Sequence, residues 1–270
     1  MNSSSRIYRL TESALLIAVA AVLSVLKIVD MPAGGSVTAC SMLPLLLVSY
    51  RHGTKWGLFT AFTYGLIQLL LGLDNFSYAT SFGAVVAIAL FDYLLAFLAL
   101  GLGGLFRKKL PQSAALAWAA VVAGVARYLC HVISGCTVWA GLSIPTAEAL
   151  TYSLSYNATY MLPEVLVLVV GIVTLSRLIS FEGTSIARAA RIRTATPLAG
   201  TLSVIAKLVL LGVLAGLIVY VAPFLQLNEE LWVGLSAVNW LAVLLVAVGG
   251  GVLCAVLEVI SACLSKRQAK

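Results

Sequence analysis

The feature that most limits the possible folds of this chain is a series of apolar stretches, several of them about 20 residues long. A helix rises 1.5 Å per residue, so about 20 residues cross the roughly 30 Å hydrocarbon core of a bilayer. Such stretches are too long for the strands of a membrane barrel. The pattern therefore predicts an all-α fold, a polytopic membrane helical bundle. We place its spans at about residues 11–29, 36–50, 54–72, 82–105, 112–140, 148–178, 200–223 and 231–263.

The composition agrees with a membrane protein and excludes most alternatives. Hydrophobic residues make up 61% of the chain and charged residues 10%, whereas a soluble domain has about 25% charged residues. The net charge of +7 does not indicate nucleic-acid binding, because the basic residues lie in short clusters between apolar runs. The 5 cysteines lie in or beside those runs, so we interpret them as packing residues and not as a disulfide or metal framework.

The loops between the predicted spans alternate in charge. Arg6 and Arg9 precede the first span and Asp30 follows it, and the same alternation continues along the chain. Lysine and arginine mark the cytoplasmic side of a membrane protein, so eight spans fit with both termini in the cytoplasm. The sequence therefore predicts a multi-pass protein in the cell membrane of a prokaryote.

A polar, arginine-rich segment at about residues 179–199 interrupts the apolar pattern. It predicts a basic cytoplasmic linker between a six-helix core, residues 1–178, and an additional transmembrane hairpin, residues 200–270. Lys207 and Glu258 lie at similar depths in the two helices of this hairpin, and a charge inside a membrane needs a partner. We therefore expect Lys207 and Glu258 to pair.

Polar and ionisable side chains inside the first six spans fall on two levels. Asp92, His131 and Asn157 lie about nine or ten residues from the predicted outer ends of their spans, roughly 14 Å below the outer surface. Arg127 and Glu164 lie deeper, near the midplane. A charge at such a depth costs about 2.5–3.5 kcal/mol, so these groups need partners or a function. We expect an upper polar ring that stands above an Arg127–Glu164 pair, which forms a supporting polar floor.

Aromatic residues crowd the predicted outer ends of the same spans, namely Tyr93, Trp139, Tyr152, Tyr156 and Tyr160. Together with a buried carboxylate, they predict a pocket that opens to the outside and binds a flat cationic heterocycle. Cation–π attraction contributes about 0.5–2 kcal/mol to such binding, and a charge-assisted hydrogen bond adds to it. Taken singly, Trp139 and Tyr152 also suit an aromatic belt at the membrane surface, and Arg127 with Glu164 suits a structural ion pair.

Several short motifs occur in order along residues 6–178. They are Leu10-Thr11-Glu12, Met31 to Ser36 followed by Ser41-Met42-Leu43-Pro44, Asp92-Tyr93, Arg127-Tyr128 with His131 and Trp139, and Tyr152-Ser153-Leu154 with Asn157. In this combination the chain resembles the thiamine-specific S component of the energy-coupling-factor transporters. It differs from some members at two places. Asp92 stands where they have glutamate, and Gly34-Gly35 stand where they have a loop tryptophan, so a clamp by this loop relies on its backbone or on Met42.

The resemblance implies a six-helix bundle that binds thiamine from the outer face. It assigns the binding to Asp92, Tyr93, His131, Trp139, Tyr152 and Asn157. It also implies two kinds of partner: a membrane-embedded coupling subunit, which docks on Ala14 and Ala18 of the first helix, and two ATPase subunits. Small residues four positions apart let helices approach closely in lipid, which suits this docking role.

The chain contains no Gly-Lys-Ser/Thr phosphate loop, so it does not hydrolyse ATP by itself. Uphill import then depends on partner ATPases, and the resemblance implies that the loaded bundle topples in the membrane to release its substrate inward. A stand-alone proton-coupled importer, with Asp92, His131 or Glu164 as the relay, is an alternative. An intramembrane enzyme is another, although no metal-binding spacing such as His-Glu-x-x-His is present. We predict no enzymatic activity, no cofactor and no metal site.

Overall fold

The computed structural model describes residues 3–31, 34–141, 146–183, 186–188, 197–221, 224 and 237–267. The chain divides into two compact units, Met1–Ala189 and Ala190–Lys270, which we call unit 1 and unit 2. The predicted all-α bundle, with a six-helix core and a two-helix extension, is confirmed.

Helices make up most of the described residues. In unit 1 they are α1 (Ser3–Val25), α2 (Leu43–His52), α3 (Thr54–Leu71), α4 (Phe82–Gly104), α5 (Gln112–Gly141) and α6 (Thr146–Leu178). In unit 2 they are α7 (Pro197–Val221) and α8 (Trp240–Arg267). All of these except α2 and α3 are long and apolar enough to cross a membrane. The 18-residue helix α3 falls outside this set and carries Lys55, Tyr64 and Gln68 among its apolar residues.

Short non-helical elements connect the helices of unit 1. Strands β1 (Lys27–Asp30) and β2 (Ser36–Thr38) form an antiparallel hairpin after α1, with Val29 opposite Val37. A 3₁₀ turn, Leu73–Tyr78, follows α3. Since the hairpin and the 3₁₀ turn lie on the predicted outer side, both are placed to border a pocket at that end of the unit.

The predicted second span, residues 36–50, is wrong as a membrane-crossing helix. Its first residues form β2, Cys40 has a positive φ of 63°, and α2 begins only at Leu43. With 10 residues, α2 is about 15 Å long, half of what a bilayer requires. Its residues from Leu43 to Arg51 are all buried. The apolar run therefore belongs to a helix that is surrounded by protein and not to one that faces lipid.

The last part of α4 packs against α2 at backbone distance. A Cβ atom added to Gly103 would lie 2.7 Å from Cα of Leu46 and would overlap the carbonyl oxygen of the same residue. Leu46 is fully buried in the core of unit 1. Glycine at position 103 therefore lets α4 pass directly over α2.

An ionic cluster ties α1 to the turn between α2 and α3. The Glu12 carboxylate lies 2.6 Å from Nε of Arg51 and 2.7 Å from Nε2 of His52. The Arg9 guanidinium lies over the ring of Trp56 at 3.8 Å. Since both interactions start from α1, they hold the end of this helix that carries the predicted cytoplasmic charges.

The predicted linker, residues 179–199, begins inside unit 1. Strand β3 (Ile179–Ser180) pairs with β4 (Ala187–Arg188), and Phe181 is buried. The Gln112 side chain donates to the carbonyl of Ile179 at 2.9 Å and accepts from the N–H of Phe181 at 2.7 Å. These contacts explain why unit 1 extends to Ala189, beyond the predicted boundary at residue 178. Residues 189–196 lie outside the described part of the chain.

The two helices of unit 2 are joined by a polar cluster, and the predicted pairing of Lys207 with Glu258 is confirmed. Nζ of Lys207 lies 2.8 Å from Oε1 of Glu258. The Ser203 hydroxyl donates to the same oxygen at 2.8 Å. An ion pair inside an apolar hairpin fixes which faces of α7 and α8 meet.

The change Lys207→Met is expected to loosen this hairpin, because it leaves the Glu258 carboxylate in the membrane without its cation. The expected loss is about 1–2 kcal/mol, or about tenfold in the opening equilibrium. Cys254 reports on it, because its thiol contacts the Ala206 carbonyl across the hairpin at 2.9 Å. Maleimide should label Cys254 about tenfold faster in the variant, measured by peptide mass spectrometry. The double variant Lys207→Met/Glu258→Leu lacks both charges and should again be labelled slowly. Equally fast labelling of the single and the double variant would contradict the expectation.

Candidate ligand-binding cavity

Unit 1 contains a cavity of about 490 Å³, a volume typical of small-molecule sites. Its lining residues come from α1, the β1–β2 hairpin, α3, the 3₁₀ turn, α4, α5 and α6. Lys27, Asn75 and Tyr78 line the end nearest the hairpin and the 3₁₀ turn, and Arg127 and Glu164 line the deep end. The described residues contain no group of three His, Cys, Asp or Glu side chains that would suit a metal ion.

Asp92 and His131 are in direct contact at the side of this cavity. Nδ1 of His131 lies 2.8 Å from Oδ1 of Asp92, and the Ser134 hydroxyl donates to Oδ2 at 2.7 Å. The Asp92 side chain is 29% exposed toward the cavity, and no lysine or arginine in the described ranges pairs with it. Nε2 of His131 is buried and has no hydrogen-bond partner among the described atoms. The cluster therefore presents a carboxylate to the cavity, and the His131 ring lines the wall beside it.

Irregular geometry in α4 positions Asp92 and its neighbour. Residues Ile88–Leu95 form a π-helical segment between α-helical turns. Such segments shift the faces of a helix and are frequent at functional sites. Tyr93 lines the cavity, but its hydroxyl donates to the Gly72 carbonyl at 2.9 Å and accepts from Asn75 at 2.7 Å. Tyr93 therefore holds the 3₁₀ turn in place beside the cavity.

The third member of the predicted ring, Asn157, is also brought to this level. Its amide donates to the carbonyl of Ser153 at 2.8 Å and to the backbone carbonyl of His131 at 3.3 Å. The Tyr160 hydroxyl donates to Oδ1 of Asn157. Asn157 thus connects α6 to α5 at His131, the residue that contacts Asp92. Asn157 also lines the cavity.

Of the predicted aromatic residues on α6, Tyr156 and Tyr160 line the cavity and Tyr152 does not. Tyr152 is buried and stacks on Tyr156, with ring centroids 5.7 Å apart. It therefore supports the wall from behind. Trp139 lies in the last turn of α5, and its side chain is outside the described part of the structure.

The predicted Arg127–Glu164 ion pair is wrong. The Glu164 carboxylate accepts hydrogen bonds from the backbone N–H and from the hydroxyl of Thr38, the latter at 2.6 Å. Arg127 contacts Sδ of Met42 at 2.6 Å and lies 4.6 Å above the ring of Phe97. A count of depth along α6 did not predict that β2 enters the bundle and supplies two donors to Glu164. Both charged groups nevertheless line the cavity.

The β1–β2 hairpin covers the cavity through its backbone. Tyr156 donates a hydrogen bond to the Gly34 carbonyl at 2.8 Å. Gly34 and Gly35 both have φ of +87°, and a Cβ on Gly35 would lie 2.6 Å from the ring of Tyr160. The glycines therefore permit both the turn and its close approach to α6.

Sequence reasoning missed the wall that α1 and α3 contribute. Ser24, Tyr64 and Gln68 line the cavity there. The available signal was the i,i+4 spacing of Tyr64 and Gln68, two polar residues on one face of an otherwise apolar segment.

Comparison with known proteins assigns the chain to a family. The family model described as Thiamine transporter protein (Thia_YuaJ) matches residues 10–181. The chain belongs to the thiamine transporter family.

Individual members of the thiamine transporter family agree with this assignment. The chain is 33% identical over 179 residues to the thiamine transporter ThiT of Bacillus subtilis (strain 168), covering 62% of this chain and 89% of that protein. The solved structure of ThiT from Listeria monocytogenes superimposes with a TM-score of 0.52 at 25% identity, over 63% of this chain and 94% of that one. The resemblance based on the sequence motifs is confirmed. The match ends at residue 181, so α7 and α8 lie outside it.

Membership of the thiamine transporter family makes the chain a multi-pass membrane protein of a transporter class. The face of α1 predicted to dock a partner carries Ala14 and Ala18, and both residues are exposed in this chain. Their neighbours Leu15 and Val19 are exposed as well. This face is therefore available to lipid or to another membrane helix.

Proposed function

We propose that this chain is the membrane-embedded substrate-binding subunit of a thiamine importer. The observation that carries the proposal is the Asp92–His131 cluster, which presents a carboxylate to an aromatic cavity inside a membrane bundle. A carboxylate at this depth is costly without a cation. Thiamine supplies one in its thiazolium ring, so the bound ligand neutralises the charge that the described residues leave without a lysine or arginine partner.

The proposed binding residues are Asp92, Tyr93, His131, Trp139, Tyr152 and Asn157, in different roles. Asp92 and His131 contact the ligand directly, and Asn157 holds the His131 segment of α5 against α6. Tyr93 anchors the 3₁₀ turn, and Tyr152 supports the ring of Tyr156. Tyr156 and Tyr160, which line the cavity, provide aromatic faces for a flat cation.

Energy coupling is proposed to come from partners. The chain carries no phosphate loop, so two ATPase subunits and a membrane coupling subunit would drive inward release, with docking on the face of Ala14 and Ala18. The cavity would open outward and both termini would lie in the cytoplasm, following the charge pattern of the loops. The chain itself would catalyse no reaction.

Calorimetric titration of the purified full-length protein with thiamine tests the binding. We expect one site with a Kd below about 1 μM. The matched control ligand is the analogue in which carbon replaces the quaternary nitrogen, so that a neutral thiophene ring of the same shape stands in place of the thiazolium, and it should bind at least about tenfold more weakly. Equal affinities for the two ligands would contradict the role of Asp92, and no binding of either would contradict the function.

The coupling part of the proposal is tested in lipid vesicles. Vesicles that hold this chain alone should bind thiamine but not accumulate it, with or without a pH gradient. Accumulation driven by a pH gradient without any ATPase would overturn the dependence on partners, and would favour Asp92 and His131 as a proton relay.

A further inference from the structure

A second polar group faces the cavity from the wall formed by α1 and α3. The half-buried Gln68 lines the cavity together with Ser24 and Tyr64. The proposed thiamine site uses none of these three side chains, since its residues lie on α4, α5 and α6. A polar side chain inside an apolar membrane helix needs a reason for its presence.

The hydrogen bonds made by its neighbours Tyr64 and Ser24 determine which end of the Gln68 amide can reach a ligand. The Tyr64 hydroxyl donates to the Ala20 carbonyl at 3.2 Å, and the Ser24 hydroxyl donates to the Ala21 carbonyl at 2.8 Å. Both hydroxyl protons are thus committed to the backbone of α1. Only the NH₂ end of the Gln68 amide can face these hydroxyls, because they can only accept.

The Gln68 NH₂ group meets both acceptors, with Nε2 lying 2.7 Å from the Tyr64 hydroxyl and 3.0 Å from the Ser24 hydroxyl. Both of its protons are therefore used. The carbonyl oxygen Oε1 has no partner among the described residues. The amide is held rigidly at its donor end and presents an acceptor alone, so this wall selects a ligand that carries an O–H or N–H group at the matching place.

We propose that Gln68 is a specificity-determining residue that accepts a hydrogen bond from the side-chain hydroxyl of thiamine, an inference that rests on the proposed function. Thiamine has two neutral groups that donate hydrogen bonds, the amine on its pyrimidine ring and the hydroxyl at the opposite end of the molecule. The charged cluster of Asp92 and His131 occupies one wall and takes the ring amine and the cationic ring. The hydroxyl then reaches the wall of α1 and α3, where Gln68 supplies the acceptor.

A cycle of two proteins and two ligands tests the proposal by calorimetry on the full-length chain. The ligands are thiamine and its analogue with ethyl in place of hydroxyethyl, and the proteins are wild type and Gln68→Met, a change close in shape. In wild type, loss of the ligand hydroxyl should weaken binding about tenfold. In Gln68→Met, thiamine should bind about tenfold more weakly than in wild type, and the two ligands should bind equally within about twofold.

Two further variants separate recognition from folding. Ser24→Ala removes one anchor of the Gln68 amide but keeps Oε1, so it should reduce the discrimination between the ligands by a smaller factor of about threefold. Thr63 lies on the same helix outside the cavity, and its hydroxyl donates to the Phe59 carbonyl at 3.0 Å. The control variant Thr63→Val should therefore leave both affinities unchanged.

An undiminished preference for the hydroxyl in Gln68→Met would overturn the proposal while thiamine binding remains intact. The same cycle can be run with the analogue that carries oxygen in place of the ring amine. If Gln68→Met removed the discrimination between thiamine and this analogue, Gln68 would contact the amine, and the proposal would also be overturned. Absence of thiamine binding in wild type would instead contradict the proposed function, so the two failures are distinguishable.

Discussion

Replacing Asp92 with asparagine is expected to weaken thiamine binding about a hundredfold while leaving the fold intact. Asparagine has the same shape and still accepts at one oxygen, but it removes the negative charge that faces the cationic ring. A hydrogen bond to a charged group is worth about 1.5–3 kcal/mol, which corresponds to a factor of about 10 to 150 in affinity. Two contacts of the carboxylate, with His131 and Ser134, are also weakened, so a value near the upper end is expected.

The matched control for this prediction is Asp74→Asn. Asp74 is an exposed aspartate in the 3₁₀ turn at the same end of unit 1, and it does not line the cavity. Its replacement changes the same charge near the predicted outer surface and should alter the Kd by less than about twofold. Calorimetry and thermal unfolding of both variants provide the measurement. Similar losses of affinity in both would mean that general electrostatic attraction, and not contact with Asp92, attracts the ligand.

The change Gly103→Val is expected to have the largest effect on stability. A Cβ atom at this position would overlap the backbone of α2 at Leu46, and a backbone cannot rotate aside as a side chain can. Insertion of atoms into a packed core costs about 1–3 kcal/mol when side chains can adjust, so a loss of about 4 kcal/mol or more is expected here. The measurement is thermal unfolding of the detergent-solubilised protein, together with its yield from the membrane.

Gly83→Val is the control for this second prediction. Gly83 lies on the same helix, α4, and the nearest atom to its added Cβ is Oγ of Ser81 at 3.8 Å. The propensity cost of valine in a helix is therefore similar at both sites, and only the steric overlap differs. Nearly equal unfolding temperatures for the two variants would contradict the direct backbone contact between α4 and α2.

The Asp92 cluster shows how far depth along a helix predicts a site. Counting residues from the predicted ends of three spans placed Asp92, His131 and Asn157 at one level, and the structure brings these side chains together. The count worked because each of the helices α4, α5 and α6 runs continuously from the same surface. The same count failed for Arg127 and Glu164, because the partner of Glu164 is Thr38, from a strand that enters the bundle.

The α2 segment shows the limit of hydropathy. An apolar run looks the same in sequence whether lipid or protein surrounds it, so hydropathy alone predicts a span at residues 36–50, although α2 is short and buried. Gln68 shows a related limit. The sequence shows its spacing with Tyr64. The orientation of its amide, however, depends on the hydroxyls of Tyr64 and Ser24, which donate their protons to backbone carbonyls of α1.

The sequence by itself determined that the protein lies in a membrane, that it is helical, which family it belongs to and how deep its polar groups lie. These features depend on the length of apolar stretches, the order of charges and local motifs. Only the tertiary structure decided which polar groups are partners, which aromatic rings face the cavity and which wall carries the free acceptor. The physical reason is that a hydrogen bond depends on the direction and distance between groups from separate segments, and tenths of an ångström in helix packing determine whether it forms.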